Sequence, residues 1–286
     1  MSTASVRLDR LRDSVDGRPL VLFGPSDVRW ITGFTGSNGW LLVTEDDTTL
    51  VTDGRYSEQA SDETSRHGCA CSIEITRSLS EMVAIIAKRK LPSIVVRPSH
   101  VTLDISHSLE REGVSLEDGE QALAGCRRIK DSAEIHAMSR AAKITDEALH
   151  DVVNRIDGRP RERDLRDELE YLMRRLGADG PSYDTIVAAG PDNSARPHHR
   201  PTDRRLTDGD ALVIDVGALV DGYHSDMTRT FFVGEPPSEL ERLFRVVSSA
   251  QLAGLEAVRA GAKGAAVDAA CRRVFEAEGV IDLYPH

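Results

Sequence analysis

Aromatic residues make up only 5% of the 286-residue chain, and its 36 lysines and arginines fall short of its 47 aspartates and glutamates, giving a formal net charge of −11. That shortage of positive charge leaves no basic stripe to neutralise a phosphate backbone, so a nucleic-acid partner is not expected. The arginine-dense stretch from Arg200 to Arg205 also contains Asp203 and reads as a solvated loop. No apolar run is long enough to cross a bilayer, so no membrane partner is expected. Cysteine is scarce too. Cys69, Cys71, Cys126 and Cys271 make no zinc-type spacing, and Cys69 and Cys71 lie too close in the chain to bridge comfortably. All four are expected to be reduced thiols, as in a cytoplasm. The amino terminus, MSTASVRLDRLRDSVDG, places charges where an export signal needs an apolar core, which points to a mature cytoplasmic chain.

With 40% hydrophobic residues the chain has enough apolar material for a large core and for two domains. Val6, Leu8, Leu11 and Val15 recur at helical spacing, and Gly17 ends that helix. Leu20 to Phe23 and Ser93 to Val96 read as strands. Trp40 to Val43 and Thr49 to Val51 read as a hairpin across Glu45-Asp46-Asp47. Helical patterns cover Ser57 to Arg66, Leu79 to Lys90 and Leu103 to Glu112, and this alternation predicts an α/β domain. The segment from Gln121 to Lys130 reads as a linker entering a long helix, Ala133 to Ile156. A second helix, Asp164 to Leu176, carries Leu165, Leu169, Leu172 and Leu176 on one stripe. Tyr183 to Ala189 reads as a strand running into a long Pro-, Asp- and Asn-rich loop with adjacent histidines, His198 and His199. Two helices, Glu239 to Val258 and Ala265 to Glu278, follow a central hairpin.

That hairpin is the chemical centre of the chain. Leu212, Val213, Ile214, Val216, Ala218 and Leu219 suit one buried strand, and Met227, Thr228, Thr230, Phe231, Phe232 and Val233 a second, yet Asp215 and Asp226 interrupt them. With the turn centred on Val220 and Asp221, Asp215 faces Asp226 directly. Carboxylates opposed at about 4.5–5.5 Å repel, and a shared proton, an arginine or divalent metal must compensate. Hard cations do so best, because they take and are bridged by carboxylate oxygens. The alternative is a solvent-facing hairpin in another register.

The stretch VIDVGALVDGYHSDMTRTF, residues 213–231, resembles the first metal-binding hairpin of the pita-bread metallopeptidases, and most of all the Xaa-Pro aminopeptidase (aminopeptidase P) and prolidase branch. GPSDVRWITGFTGSNGWLLV and LVTDGRYSEQA resemble the amino-terminal domain of the same peptidases, which carries no metal ligands, helps form a dimer and restricts the substrate entrance. IKDSAEI matches the start of the family's catalytic domain. The resemblance therefore implies an α/β (α+β) chain: a creatinase-like amino-terminal α/β domain, residues 1–125, followed by an incomplete pita-bread catalytic domain, residues 126–286.

It also implies site residues. Asp215 and Asp226 become metal ligands; Thr228, two residues beyond Asp226 and so on the same face of its strand, is expected from that spacing to donate to it. On chemistry alone two adjacent histidines are an ordinary surface feature. The match of GPDNSARPHHRPTDRRLTDGD to the family's histidine-bearing loop makes His198 the histidine beside the bound peptide, and leaves His199 less defined. His286, in the closing IDLYPH, is similar to the histidine that stands just before a glycine-flanked metal histidine, and would line the proline side. The implied reaction is metal-dependent cleavage of Xaa-Pro peptides with two divalent ions, Mn foremost and Co or Zn as alternatives, by a cytoplasmic homodimer acting on proline-containing peptides.

The family site takes two aspartates, one histidine and two glutamates. Only the aspartates fall within these 286 residues, so the chain reads as ending before the other ligands. A fragment of a complete enzyme, a truncated gene product and a protein that works without metal all explain that ending. An isolated polypeptide of this length is expected to be unstable or aggregated. Besides the aminopeptidase or dipeptidase reading stand an inactive peptide-binding or dimerisation module and a metal-free creatinase-like hydrolase, the latter disfavoured by both aspartates.

Overall fold

The structure is a computed structural model that describes residues 2–284 and divides into two compact units, 1–131 and 132–286. The first unit is built on strands β1 (Leu20–Leu22), β2 (Gly39–Val43), β3 (Thr48–Asp53), β4 (Ser72–Thr76), β5 (Ser93–Val96) and β6 (Ser115–Asp118). They form one sheet of order β4-β3-β2-β1-β5-β6, antiparallel where β1, β2 and β3 meet and parallel elsewhere. Helices α1 (Thr3–Ser14), α2 (Pro25–Thr32), α3 (Ser57–His67), α4 (Leu79–Ala87), α5 (Leu103–Arg111) and α6 (Glu120–Cys126) complete the unit.

Strand alternation splits its apolar residues between two cores. Leu20, Leu22, Leu41, Val43 and Leu50 pack with Leu8 and Leu11 of α1, Val28 and Ile31 of α2, and Leu123 of α6. Val21, Trp40, Leu42 and Val51 face the other way, onto Met82, Val83 and Ile86 of α4 and Leu109 of α5. The α/β reading of this region therefore holds. Sequence reasoning passed over β4 and β6 because edge strands bury little and carry no apolar run. It also passed over α2, although Pro25 at its start and Gly33 (φ 74°) at its end are ordinary helix punctuation, and it read α6 as part of a linker.

The second unit opens with α7 (Ser132–Val153) and α8 (Glu162–Arg175), followed by β7 (Gly180–Pro181), β8 (Ile186–Ala189), the short α9 (Gly190–Ser194), β9 (Ala211–Val216), β10 (Ala218–Val220), β11 (Tyr223–His224) and β12 (Met227–Phe232). Two three-stranded sheets, β12-β9-β8 and β11-β10-β7, result. Leu165, Leu169 and Met173 of α8 and Ala141, Ile144, Ala148 and Val152 of α7 pack against Leu212, Ile214 and Val216 of β9. Leu176, expected on the buried stripe of α8, is exposed, because a spacing of four places Met173 after Leu169. Helices α10 (Ser238–Ala257) and α11 (Gly264–Ala277) pair through Val246, Ala250 and Phe275, whereas Val247, Leu252 and Leu255 of α10 are exposed.

The hairpin turns at Asp221 and Gly222, with φ of 53° and 82°, and pairs Leu219 with His224 and Val220 with Tyr223. Positive φ at both central residues is the signature of a two-residue type I′ turn, for which Asp-Gly is a favoured sequence. Gly217, between β9 and β10, is needed for a different reason: a Cβ there would lie 2.0 Å from the Ser225 carbonyl oxygen. Because the obstacle is backbone, no rotamer relieves it. Gly217→Ala should cost about 2–3 kcal/mol of stability, read as a lowered urea midpoint in equilibrium unfolding.

Candidate metal and peptide site

Asp215 lies on β9, the central strand of its sheet. Alternate residues Leu212, Ile214 and Val216 are buried in the helix-covered core, which leaves Asp215 on the opposite, half-buried face. Its cross-strand partner is Thr228, and not Asp226 as expected from the sequence. The turn one residue further along than Val220 and Asp221 moves the pairing by two, and a two-residue shift keeps every side chain on its face. Asp226 thus becomes the diagonal neighbour of Asp215, beyond a directly opposed distance.

Tyr183 closes that gap. Its hydroxyl lies 2.7 Å from Asp215 Oδ1 and 3.0 Å from Asp226 Oδ1, so one phenol oxygen gathers both carboxylates. Burial and the two adjacent carboxylates hold its pKa well above that of an ordinary tyrosine, so the hydroxyl keeps its proton. One proton serves one acceptor at a time, and the pair retains unshared acceptor capacity on its exposed side.

The base of the hairpin is locked by hydroxyls. Ser182 Oγ is 2.9 Å from the Ala218 carbonyl oxygen and 2.8 Å from that of Ser225, and the Ser182 N–H donates to the Gly217 carbonyl at 2.8 Å. The Ala218 N–H donates to Ser225 Oγ (2.8 Å) and lies 3.1 Å from Thr145 Oγ1 of α7, which itself meets Ser225 Oγ at 2.7 Å. These contacts fix the residues immediately before Tyr183 and Asp226. Sequence reasoning missed Tyr183, Ser182, Ser225 and Thr145. It began a strand at Tyr183, whereas β8 starts only at Ile186, so Tyr183 belongs to an irregular approach where alternation carries no signal.

The histidine-bearing loop leaves β8 after Ala189. His198 is exposed at the apex of a turn closed by the His199 N–H on the Arg196 carbonyl (3.2 Å), and it makes no hydrogen bond to either aspartate among the described residues. His199 is the buried one, 6% exposed, with Nε2 2.9 Å from Glu162 Oε2. Glu162, 0% exposed, also accepts from the Ala189 N–H (2.8 Å), Asn193 Nδ2 (2.9 Å), the Thr202 N–H (2.9 Å) and Thr202 Oγ1 (2.7 Å). Burial alone would raise its pKa; the hydrogen bonds from His199, Ala189 and Thr202 outweigh it and hold the carboxyl at about 2. His286 lies outside the described residues.

Asp215 and Asp226 offer the hard oxygen donors that suit a divalent cation. Among the described residues, however, no group of three or more His, Cys, Asp or Glu side chains comes together as a metal cage. The pair fits such an ion in kind and supplies part of a coordination shell.

The sequence profile of the Creatinase/Prolidase N-terminal domain matches residues 7–129, and that of Metallopeptidase family M24 matches residues 136–286. An uncharacterized peptidase of Bacillus subtilis is 31% identical over 98% of this chain and 80% of its own length. An Xaa-Pro dipeptidase structure from Bacillus anthracis superimposes with a TM-score of 0.89 at 29% identity, over 97% of this chain and 78% of that one. An X-Pro aminopeptidase structure from Thermotoga maritima does so with a TM-score of 0.85 at 27% identity, over 95% and 78%. With the M24 profile covering more than half of its residues and the paired aspartates standing on its hairpin, the chain belongs to metallopeptidase family M24.

Proposed function

We propose that this protein is a metal-dependent Xaa-Pro peptidase that releases the amino-terminal residue preceding proline, with Asp215 and Asp226 as metal ligands. The observation that carries the reading is the convergence of both carboxylates on the Tyr183 hydroxyl, which leaves two acceptor groups side by side with one proton between them. Relatives named Xaa-Pro dipeptidase in Pyrococcus furiosus and putative Xaa-Pro aminopeptidase in Mycoplasma genitalium support the substrate class. A divalent ion at the pair, Mn foremost and Co or Zn as alternatives, supplies Lewis acidity and lowers the pKa of the attacking water. Tyr183 orients the Asp215 carboxylate. His198, exposed on its turn, donates a hydrogen bond to the substrate carbonyl as negative charge develops on its oxygen. The protein works as a homodimer in the cytoplasm. No helix among the described residues is long and apolar enough to cross a membrane.

The test is hydrolysis of Ala-Pro and Ala-Pro-Ala by the protein as its own cells make it, after chelation and again with added Mn(II). Turnover that requires both the metal and proline in second position is the expected result. Turnover unaffected by chelation would replace this reading with a metal-free creatinase-like hydrolase. Proline peptides bound but never cleaved, at any metal concentration, would make it a peptide-binding module.

A further inference from the structure

We propose that Glu162 and His199 are positioning residues for His198: one buried carboxylate gathers both ends of the histidine-bearing loop and, through the His199 imidazole, fixes the turn that presents His198 outward. The inference rests on the reading of His198 as the donor that meets the substrate carbonyl. An exposed side chain on a loop is not held by its own packing, and each loosely held residue retains conformational freedom that a catalytic donor must lose. The order has to come from the backbone beneath it.

The structure supplies that order in three steps. Glu162 sits in the first turn of α8, a rigid element whose amino-terminal end favours negative charge. Its Oε1 holds the beginning of the loop, through the Ala189 N–H and Asn193 Nδ2, and its Oε2 holds the end, through the Thr202 N–H and hydroxyl. Backbone bonds from the Glu162 N–H to the Arg204 carbonyl (3.0 Å) and the Arg163 N–H to the Thr202 carbonyl (3.2 Å) sew the segment leaving the loop to the same helix. Between these points lies Arg196-Pro197-His198-His199. Pro197 fixes φ at the second position of the turn, His198 occupies the third, and His199 closes it with its N–H while its side chain is pinned to Glu162. The histidines are therefore coupled neighbours, the buried one setting where the exposed one stands.

A carboxylate is required here because it accepts at both oxygens. A glutamine would turn an NH2 group toward the donors on one side or the other. For the same reason His199 must carry a proton on Nε2.

The experiment is a set of variants in the protein as its own cells make it, assayed for Mn-dependent Ala-Pro-Ala turnover, with hydrogen exchange followed at the Thr202 amide. His199→Phe should lower kcat about 10–100-fold with KM changed less than about threefold, and should speed exchange at Thr202. His199→Gln, whose side-chain N–H2 replaces the lost donor, should recover kcat to within about threefold of the original. In a His198→Ala background, His199→Phe should cause no further loss, because the two act as one unit. If His198→Ala lowers turnover and His199→Phe multiplies that loss independently, the positioning role is overturned while the role of His198 stands. If His198→Ala leaves turnover unchanged, the reading of His198 itself fails and the pair is a structural anchor only. Should His199→Phe not fold, Thr202→Val, which removes a single hydroxyl from Glu162, takes its place with the same pattern expected at smaller amplitude. Normal kcat with accelerated exchange in that variant would likewise overturn the proposal.

Discussion

Asp226→Asn should lower metal-dependent Xaa-Pro turnover by about 10³-fold, equivalent to about 4 kcal/mol of transition-state stabilisation, and at the same time raise the melting temperature of the metal-free protein. The two effects have one cause. Asp215 and Asp226 are held by a single phenol hydroxyl, at 2.7 and 3.0 Å, and without a cation their like charges oppose folding. An asparagine keeps an oxygen for Tyr183 and adds an amide that can donate to Asp215, so repulsion becomes attraction, worth about 2 °C in melting temperature for a domain of this size. The same amide is a poor ligand for a hard divalent ion. Activity assays with added Mn(II), paired with thermal unfolding under chelation, read both arms. Full turnover in the variant removes Asp226 from the site. A lowered melting temperature would show that the carboxylate pair is structural rather than poised for a cation.

Glu162→Gln should destabilise the protein by about 3 kcal/mol at neutral pH, and the deficit should shrink to about 1 kcal/mol near pH 2.5. Glu162 is fully buried and accepts five hydrogen bonds, so an amide in its place leaves donors confronting an NH2 group. Its carboxyl titrates at about 2, against 4.5 for an ordinary glutamate, because hydrogen bonds from His199, Ala189 and Thr202 overcome the opposing effect of burial. A depressed native pKa stabilises in full above 4.5, and the contribution is lost as pH falls through about 2; that span is worth about 3 kcal/mol. His199 and Arg204 are the chargeable groups that face it. Urea unfolding of the original and variant proteins at pH 7 and near pH 2.5 makes the comparison, and other carboxylates cancel in the difference. A deficit that persists unchanged at low pH would show that the ionised state of Glu162 contributes nothing.

Much of this molecule was legible from residue order, because the signals involved are local. Alternation in β2 and β3, helical spacing in α1 and α8, and the breaking of apolar strands by Asp215 and Asp226 each lie within a few residues of chain. The register of the hairpin was in the sequence as well, in the Asp221-Gly222 pair, whose preference for positive φ at both positions marks the turn more sharply than the midpoint of the apolar runs. Elements with little buried surface, such as β4 and β6, left no such mark.

The site's supporting groups were another matter. Tyr183 precedes β8 in irregular chain, and only the folding of β9 and β12 beside it gives its hydroxyl two carboxylates to hold. Glu162 looks like one more charged residue at the start of a surface helix until Ala189, Asn193, His199 and Thr202, distant in sequence, all turn toward it. Sequence by itself determined the α/β elements, the aspartate pair and the presence of a histidine-bearing loop, since propensity, periodicity and turn chemistry act over short separations. Tertiary structure alone decided which hydroxyl joins the aspartates, which of two adjacent histidines is buried, and what anchors the loop. Those outcomes depend on hydrogen bonds between chain segments that meet only when the core forms, and no local pattern encodes a partner forty residues away.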